Sequence, residues 1–132
     1  SYPLVENIHE KNILRQTIAP ARVSKQIIDE ADQIAEKTMS VLKGAGIFGI
    51  EMFVTKEGHI LINEIAPRVH NSGHHTMQSG KTSQFERHLR AILGLELENT
   101  ELIHNTIMYN NLGNSDFEGE YKRIELTEKN IF

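Results

Sequence analysis

Side chains able to bind a charged ligand are concentrated in one stretch of the chain, residues 63–74. An apolar run at residues 60–62 leads directly into Asn63 and Glu64, and Pro67 interrupts the pattern shortly afterwards. The polar residues beyond this proline include Arg68, His70, Asn71, Ser72, Gly73 and His74. This order predicts a strand that ends in a polar loop. Loops held by rigid elements often carry binding and catalytic residues, so we expect the functional site here.

A second acidic residue, Glu51, lies in the preceding apolar run. Residues 47–55 and 59–65 predict two antiparallel strands, joined by a tight turn at Glu57-Gly58. If the turn has two central residues, Glu51 lies directly opposite Glu64, and directly opposed Cβ atoms are about 4.5–5.5 Å apart. A three-residue turn with Gly58 in the left-handed conformation would instead place Glu51 opposite Asn63. The sequence leaves both registers open.

Two opposed carboxylates repel each other unless a cation or a proton lies between them. Magnesium prefers oxygen ligands, and it usually binds one or two carboxylates together with nucleotide phosphates. The first register therefore predicts a magnesium–nucleotide site at Glu51 and Glu64. The alternative interpretation is that both glutamates are solvated surface residues, which is the commoner situation for two acids on neighbouring strands.

The loop that follows could bind a second anion. Arg68 carries a planar guanidinium that matches the geometry of carboxylate, bicarbonate and phosphate. His70 and Asn71 could hydrogen-bond the same anion or only order the loop. The spacing of His70, His74 and His75 also suggests zinc, but glycine and asparagine between the first two disfavour the helix on which zinc hydrolases place such a pair. We therefore favour the anion-binding interpretation.

The elements that must position these residues predict an α/β domain. Residues 2–7 and 13–17 predict a first β-hairpin, and residues 106–112 predict a further strand. Together with the second hairpin they should form a mainly antiparallel sheet of four or more strands, with two helices on one face. Residues 66–81 lack periodicity and predict a long loop, which favours a binding role because long loops are uncommon as mere connectors.

The two helices are predicted from capping residues and apolar spacing. Ser24 begins the first helix, which runs to about Lys43 and should pack its apolar side into the core. Ser83 and Glu86 form a capping-box signature for the second helix, which ends at Gly94. The residues of the second helix that should face the core are Phe85, Leu89, Ile92 and Leu93, whereas Arg87 and Arg90 should face water.

The composition limits the function without identifying it. The chain has 132 residues, a formal net charge of −4 and no cysteine, so disulfides and thiolate metal sites are excluded. We expect no nucleic-acid partner because the sequence has no basic tract. We expect no membrane partner because no stretch approaches the ~20 apolar residues of a membrane span. The chain begins at Ser1 in or just before a predicted strand, so we expect a piece of a longer protein.

The polar segment also closely resembles a known enzyme family. The stretches that carry the resemblance are residues 51–54 (EMFV) and 61–74 (LINEIAPRVHNSGH), with further matches at residues 2–9, 13–15, 82–86 and 88–91. They are similar to the ATP-grasp domain of carboxyaminoimidazole ribonucleotide synthetases, which act in de novo purine synthesis. Residues 46–49 (GIFG) and 74–76 (HHT) look more like the fungal form, phosphoribosylaminoimidazole carboxylase, in which a mutase is fused to the synthetase.

The resemblance implies an ATP-dependent ligase that joins bicarbonate to the exocyclic amine of aminoimidazole ribonucleotide, by way of carboxyphosphate, and releases ADP and phosphate. ATP and magnesium would be its cofactors, its location would be cytoplasmic, and the full-length enzyme could be a homodimer. The roles that the resemblance implies are magnesium binding by Glu51 and Glu64, nucleotide binding by His9, Asn63 and Glu64, and binding of bicarbonate by Arg68, His70 and Asn71.

The same resemblance places residues 1–105 in the C-terminal lobe of an ATP-grasp domain. Residues 106–132 would begin a small β-rich C-terminal domain that is cut short. The lysines and glycine-rich flap of the other ATP-grasp lobe have no equivalent in this sequence, so the chain alone is predicted to be inactive. Two alternatives are another ATP-grasp carboxylate–amine ligase with a different acyl acceptor, and a non-catalytic assembly domain that retains the fold.

Overall fold

The computed structural model describes residues 1–113 of the chain. The strands in this part are β1 (Glu6–Glu10), β2 (Ile13–Ala19), β3 (Gly49–Val54), β4 (Ile60–Ala66) and β5 (Thr106–Tyr109). The helices are α1 (Lys25–Leu42), the short α2 (Thr76–Ser79) and α3 (Gln84–Leu93), with a 3₁₀ turn at Asn71–Gly73. The predicted α/β class and the antiparallel pairing are confirmed.

The strands divide into two sheets, which corrects the prediction of one sheet with four or more strands. One sheet has the order β1-β2-β5 and the other consists of β3 and β4. In the first sheet, Lys11 and Asn12 both have positive φ, 50° and 62°, as a two-residue hairpin turn requires. β5 pairs antiparallel with β2 and ends at Tyr109, shorter than the predicted strand at residues 106–112. The part of the C-terminal prediction that concerns residues 114–132 lies outside the described residues.

Helix α1 begins and ends close to the predicted residues. Ser24 is its N-cap, and the Ser24 hydroxyl accepts a hydrogen bond from the backbone N–H of Ile27. Ala31 is buried and α1 contacts β4, so the predicted core packing is confirmed for this part of the helix. The prediction is wrong for the last turn, where Val41 is 74% exposed. Periodicity identifies the apolar side of a helix, but it does not supply a neighbour along the whole length.

Helix α3 confirms the predicted caps and contradicts the predicted core residues. The Ser83 hydroxyl accepts a hydrogen bond from the backbone N–H of Glu86, and Gly94 closes the helix with φ of 66°. The residues expected in the core are instead 36–68% exposed, namely Phe85, Leu89, Ile92 and Leu93. The His74 ring stacks on Phe85, but each of these four side chains keeps more than a third of its surface exposed. The arginines expected to face water are partly buried by partners: Arg90 pairs with Glu86, and the guanidinium of Arg87 lies 5.9 Å from the ring centre of Tyr2.

The segment between β4 and α3 is more ordered than predicted. It contains the 3₁₀ turn and α2, whereas the sequence suggested a loop without regular structure. It also supplies most of the buried polar residues of the described chain, including His75, Thr76, Ser79, Thr82 and the adjoining Gln84. Buried polar groups are stable only when hydrogen-bonded, so internal bonds hold this segment in place. No helix in residues 1–113 combines the length and apolarity needed to cross a bilayer.

Candidate active site

The β3–β4 hairpin brings the two predicted acids together by an unexpected route. The turn is the three-residue alternative: the backbone N–H of Thr55 donates to the carbonyl of His59, and Gly58 has φ of 86°. This turn alone would place Glu51 opposite Asn63. A β-bulge then shifts the register by one residue, so that Glu51 pairs with Glu64 and Asn63 is the additional residue. Of the two registers that the sequence leaves open, the structure therefore has the pairing of Glu51 with Glu64, but it reaches this pairing through the turn of the other alternative.

The bulge also reverses the alternation of side chains along β4. Ile62 and Ile65 line the same apolar groove beside α1, although residues three positions apart in a regular strand point to opposite faces. Their strand partners are Met52 and Ile50. Because Glu51 alternates with these two partners along β3, the acidic pair lies on the other face of the hairpin. One face thus borders the groove beside α1, and the opposite face presents the acids.

Glu51 is the centre of the polar contacts on this face. Its Oε2 accepts a hydrogen bond from the Asn63 side-chain amide at 3.3 Å, so the bulge aims Asn63 at the acid. Its Oε1 lies 3.7 Å from Nε2 of His70. The Glu51 and His70 side chains are only 19% and 13% exposed, whereas Glu64 is exposed. The structure therefore brings together four of the predicted site residues: Glu51, Asn63, Glu64 and His70.

The other predicted residues lie further along the loop or in the other sheet. Arg68 is exposed, and one of its guanidinium nitrogens donates to the carbonyl of Val69 at 3.1 Å. Asn71 begins the 3₁₀ turn, and its carbonyl accepts from the backbone N–H of His74. His9 is exposed on β1 and pairs with Leu14 across the first hairpin. Within residues 1–113, His9 makes no hydrogen bond or ion pair with the residues around Glu51.

The three histidines considered for zinc have different surroundings. Nδ1 of His70 lies 2.8 Å from the Ser72 hydroxyl, whereas the His74 ring stacks on Phe85 with centroids 5.3 Å apart. His75 is buried, its Nδ1 lies 2.7 Å from the Ser79 hydroxyl, and burial lowers the pKa of its imidazole. In the described part of the chain, no group of three or more His, Asp or Glu side chains could hold a metal.

The oxygen donors around Glu51 fit magnesium better than zinc. Glu51 and Glu64 offer carboxylates from facing strand positions, and Asn63, whose amide nitrogen donates to Glu51, also carries an amide oxygen. Magnesium prefers oxygen ligands, and it takes only one or two carboxylates because phosphates and water complete its coordination. A protein site for a magnesium–nucleotide complex therefore needs to supply only part of the coordination sphere.

Sequence reasoning missed two residues that shape the site. Gln84 is 2% exposed, and its side chain hydrogen-bonds the backbone of His70. Gly49 lies directly against His70: a Cβ atom added at Gly49 would be 2.8 Å from the His70 Cβ. The sequence has no local signal for either contact, since Gln84 is 14 positions and Gly49 is 21 positions away from His70.

Comparison with known proteins identifies the family to which the chain is similar. Residues 1–85 match the ATP-grasp domain family. The phosphoribosylaminoimidazole carboxylase of Ogataea methanolica is 46% identical over 127 residues, which cover 92% of this chain and 23% of that protein. The N5-carboxyaminoimidazole ribonucleotide synthase of Bacillus subtilis is 49% identical over 113 residues, which cover 86% of this chain and 30% of that protein.

Solved structures give the same result. The chain is similar to N5-carboxyaminoimidazole ribonucleotide synthetase from Thermotoga maritima, with 49% identity, a TM-score of 0.79, and coverage of 88% of this chain and 31% of that chain. It is also similar to N5-carboxyaminoimidazole synthase from Aspergillus clavatus in complex with ADP and 5-aminoimidazole ribonucleotide, with 42% identity and a TM-score of 0.82. That match covers 86% of this chain and 31% of the Aspergillus chain.

The chain therefore spans less than a third of the length of these relatives. The family match nevertheless covers more than half of the chain's 132 residues. The matched part contains β1 to β4, the paired acids and the whole polar loop. The chain belongs to the ATP-grasp family.

Proposed function

We propose that this chain is the part of an N5-carboxyaminoimidazole ribonucleotide synthetase that holds magnesium and bicarbonate in the ATP-grasp site. The observation that carries the proposal is the pairing of Glu51 with Glu64 next to His70, in a chain whose relatives are named for this activity. Residues 1–105 would form the C-terminal lobe of the ATP-grasp domain. Residues 106–132 would lead into the next domain, and β5 at their start still pairs with β2 of the lobe.

Glu51, Glu64 and Asn63 would hold the magnesium ion. When bound, the ion would neutralise phosphate charge and orient the γ-phosphoryl group. The chain's own contribution is to keep two carboxylates at facing positions of a hairpin. The Asn63 amide orients one of them, because it donates to Glu51 Oε2. His9 would contact the nucleotide. It lies on β1 in the first sheet, away from the residues around Glu51.

Arg68, His70 and Asn71 would hold bicarbonate. In the proposed reaction an oxygen of bicarbonate attacks the γ-phosphorus of ATP, and ADP leaves as carboxyphosphate forms. The exocyclic amine of aminoimidazole ribonucleotide then attacks the carboxyl carbon and displaces phosphate, or carboxyphosphate first breaks down to phosphate and carbon dioxide and the amine attacks the carbon dioxide. In either case the amine gives up a proton as the new C–N bond forms. The first step brings two anions together, so fixed positive charge and hydrogen-bond donors at the reacting oxygens should supply much of the catalysis. The exposed guanidinium of Arg68 can offer its planar fork to such an anion.

The experiment that tests this proposal measures ADP release by the complete enzyme as magnesium is varied, with ATP, bicarbonate and aminoimidazole ribonucleotide present. Glu64→Gln should raise the magnesium concentration for half-maximal rate at least about tenfold, because even indirect partners of metal ligands are worth that much. Glu57→Gln is the matched control, since Glu57 is exposed at the turn of the same hairpin. An unchanged magnesium titration for Glu64→Gln would remove this residue from the metal site.

The same assay separates the proposal from its alternatives. ADP release that does not depend on aminoimidazole ribonucleotide would indicate a ligase with another acceptor. A complete enzyme without any ADP release would indicate an assembly domain. The chain by itself should release no ADP, because ATP-grasp enzymes hold the nucleotide between two lobes and the resemblance assigns only one to this chain. We also propose a cytoplasmic location and a homodimer for the complete enzyme.

A further inference from the structure

Gln84 forms a two-point connection to the backbone of His70. Its Oε1 accepts a hydrogen bond from the His70 N–H at 2.9 Å, and its Nε2 donates to the His70 carbonyl at 2.7 Å. Gln84 is also anchored at its own backbone, where its N–H donates to the hydroxyl of Thr76 at 2.9 Å. The residue is 2% exposed, so water does not compete for these bonds.

Two glycines show how closely this arrangement is packed. A Cβ atom added at Gly73 would lie 2.6 Å from Oε1 of Gln84, and one added at Gly49 would lie 2.8 Å from Cβ of His70. Gly73 therefore leaves space for the glutamine amide, and Gly49 leaves space for the histidine. His70 is held between strand β3 on one side and the first residue of α3 on the other.

These contacts limit where the imidazole of His70 can lie. With the His70 backbone held at both its N–H and its carbonyl, the ring nitrogens meet two defined partners. Nδ1 lies 2.8 Å from the Ser72 hydroxyl and Nε2 lies 3.7 Å from Oε1 of Glu51. A hydrogen bond from the Ser72 hydroxyl to Nδ1 would leave the ring proton on Nε2, directed at the carboxylate. Any shift of the loop backbone would move Nε2 relative to Glu51.

We propose that Gln84 is a positioning residue for the carboxylation reaction, because its side-chain amide fixes the His70 backbone and thereby holds the imidazole against Glu51. This inference rests on the proposed function and extends it to a residue that touches neither metal nor bicarbonate in that proposal. Displacement of a reacting group by about 1 Å can reduce the rate about 100-fold. We call the two hydrogen bonds between the Gln84 side chain and the His70 backbone the clamp. Loss of the clamp should lower kcat more than it affects the binding of ATP.

The chemistry of the clamp gives a specific test. Gln84 uses one acceptor and one donor, and a carboxylic acid has the same shape. A protonated glutamic acid can accept with one oxygen and donate with the other, whereas an ionised one can only accept. Burial raises the pKa of a carboxyl group, so Gln84→Glu should restore the clamp at low pH and break it at high pH. Gln84→Met has neither group and should lack the clamp at every pH.

The experiment is a pH profile of kcat for the complete enzyme and its variants, each expressed as a ratio to wild type to remove the pH dependence that both share. Gln84→Glu should be reduced about 100-fold near pH 8 and should recover at least about tenfold toward pH 6. Gln84→Met should show no recovery. Gln26→Glu is the matched control, because Gln26 is exposed on α1, and its ratio should stay near one throughout.

A second measurement shows whether Gln84 acts through His70. In a double-mutant cycle, Gln84→Glu should add little to the loss caused by His70→Ala, because the clamp then has no imidazole to hold. If Gln84→Glu does not fold, Gly73→Ala provides the same test, since its Cβ would press on Oε1 of an unchanged glutamine. It should lower kcat in the wild-type background and add little to His70→Ala.

The outcomes separate this inference from the proposed function. The proposed function itself would be refuted if the wild-type enzyme showed no ADP release that depends on both bicarbonate and aminoimidazole ribonucleotide. An active wild type combined with a flat Gln84→Glu ratio, or with losses that simply add to those of His70→Ala, would refute the positioning role alone. Recovery toward low pH together with non-additive losses would support it.

Discussion

The imidazole Nε2 of His70 lies 3.7 Å from Oε1 of Glu51, and both side chains are mostly withdrawn from solvent. One residue comes from a β-strand and the other from the loop after the next strand, so the contact joins the proposed metal site to the proposed bicarbonate site. A protonated His70 would form an ion pair with Glu51. Changes that move either residue should therefore affect both magnesium dependence and bicarbonate dependence.

Gly49→Ala should displace His70. The new Cβ would lie 2.8 Å from the His70 Cβ, too close for two carbon atoms, and the histidine is held from behind by Gln84. We expect a stability loss of about 1–3 kcal/mol, which is typical of overpacking, and a fall in kcat of the complete enzyme. Thermal unfolding and steady-state kinetics measure the two effects. Adding His70→Gly should recover most of the lost stability, and failure to do so would place the strain elsewhere.

Arg68→Ala should impair turnover with little effect on stability. Arg68 is exposed, and its described side-chain hydrogen bond goes to the neighbouring carbonyl of Val69. Removal of one donor aimed at a developing anion typically costs about 10²–10³ in kcat. Arg22→Ala is the matched control, because Arg22 is an exposed arginine that pairs with Glu6 and should not change kcat. Near-normal turnover of the Arg68→Ala enzyme would contradict an anion-binding role.

The two serine N-caps allow a paired comparison. Ser24 and Ser83 each accept a hydrogen bond from the first turn of their helix, so alanine at either position should cost about 1 kcal/mol of stability. Only Ser83 precedes Gln84, which fixes His70. We expect similar losses in the free energy of unfolding, measured with urea, but a lower kcat only for Ser83→Ala. Equal kcat values for the two variants would show that fraying of α3 does not reach the site.

The buried imidazole of His75 should make stability depend on pH. Burial lowers the pKa of this histidine below its usual 6.5, so the unfolded chain binds the proton more tightly than the folded one. Stability is therefore greatest above pH 6.5 and falls as the pH drops toward the folded-state pKa, by at most about 1.4 kcal/mol per pH unit. The pKa of Glu6 is also lowered, by its hydrogen bonds with Arg22, but from 4.5, so its effect appears at lower pH.

Urea unfolding of the chain at pH 7.5 and pH 5.5 measures this effect. The His75→Gln variant should show a smaller difference between the two pH values, because it removes the titrating ring. A difference as large as that of wild type would assign the pH dependence to another group. Ser79→Ala complements this test: it leaves Nδ1 of His75 without its hydroxyl partner, at a cost of about 1–3 kcal/mol for an unsatisfied buried group.

Local signals in the sequence were sufficient for part of this structure. Ser24, Ser83 and Gly94 act as helix caps because capping depends on a few neighbouring residues. The sequence leaves the register of the second hairpin open, and the structure pairs Glu51 with Glu64 through a three-residue turn followed by a bulge. No local pattern specifies the bulge, which adds Asn63 to β4 and shifts the register by one residue.

The remaining differences come from contacts between distant parts of the chain. Gln84 and His70 are 14 positions apart, and the bonds that join them involve the backbone of His70, which any residue other than proline could offer. The apolar side of α3 was recognisable, but its exposure depends on what else is present to cover it. The burial of Thr76 and Ser79 is a different case: their hydroxyls donate to carbonyls within the same short segment, and a polar stretch without periodicity gives no sign that this segment is buried.

At the bulge, three side chains take part where a regular pair of facing strand positions has two, because Asn63 is added to the pair Glu51 and Glu64. A regular pair of facing residues can offer a hard cation no more than one ligating side chain from each strand. Deletion of Asn63 would leave Glu51 and Glu64 as partners and would keep Ile62 and Ile65 on the α1 side. The hairpin would therefore lose one possible metal ligand, while every other side chain would stay on its present face. The extra amide is thus a separable addition to the proposed metal site, and insertion of a single residue is enough to create it.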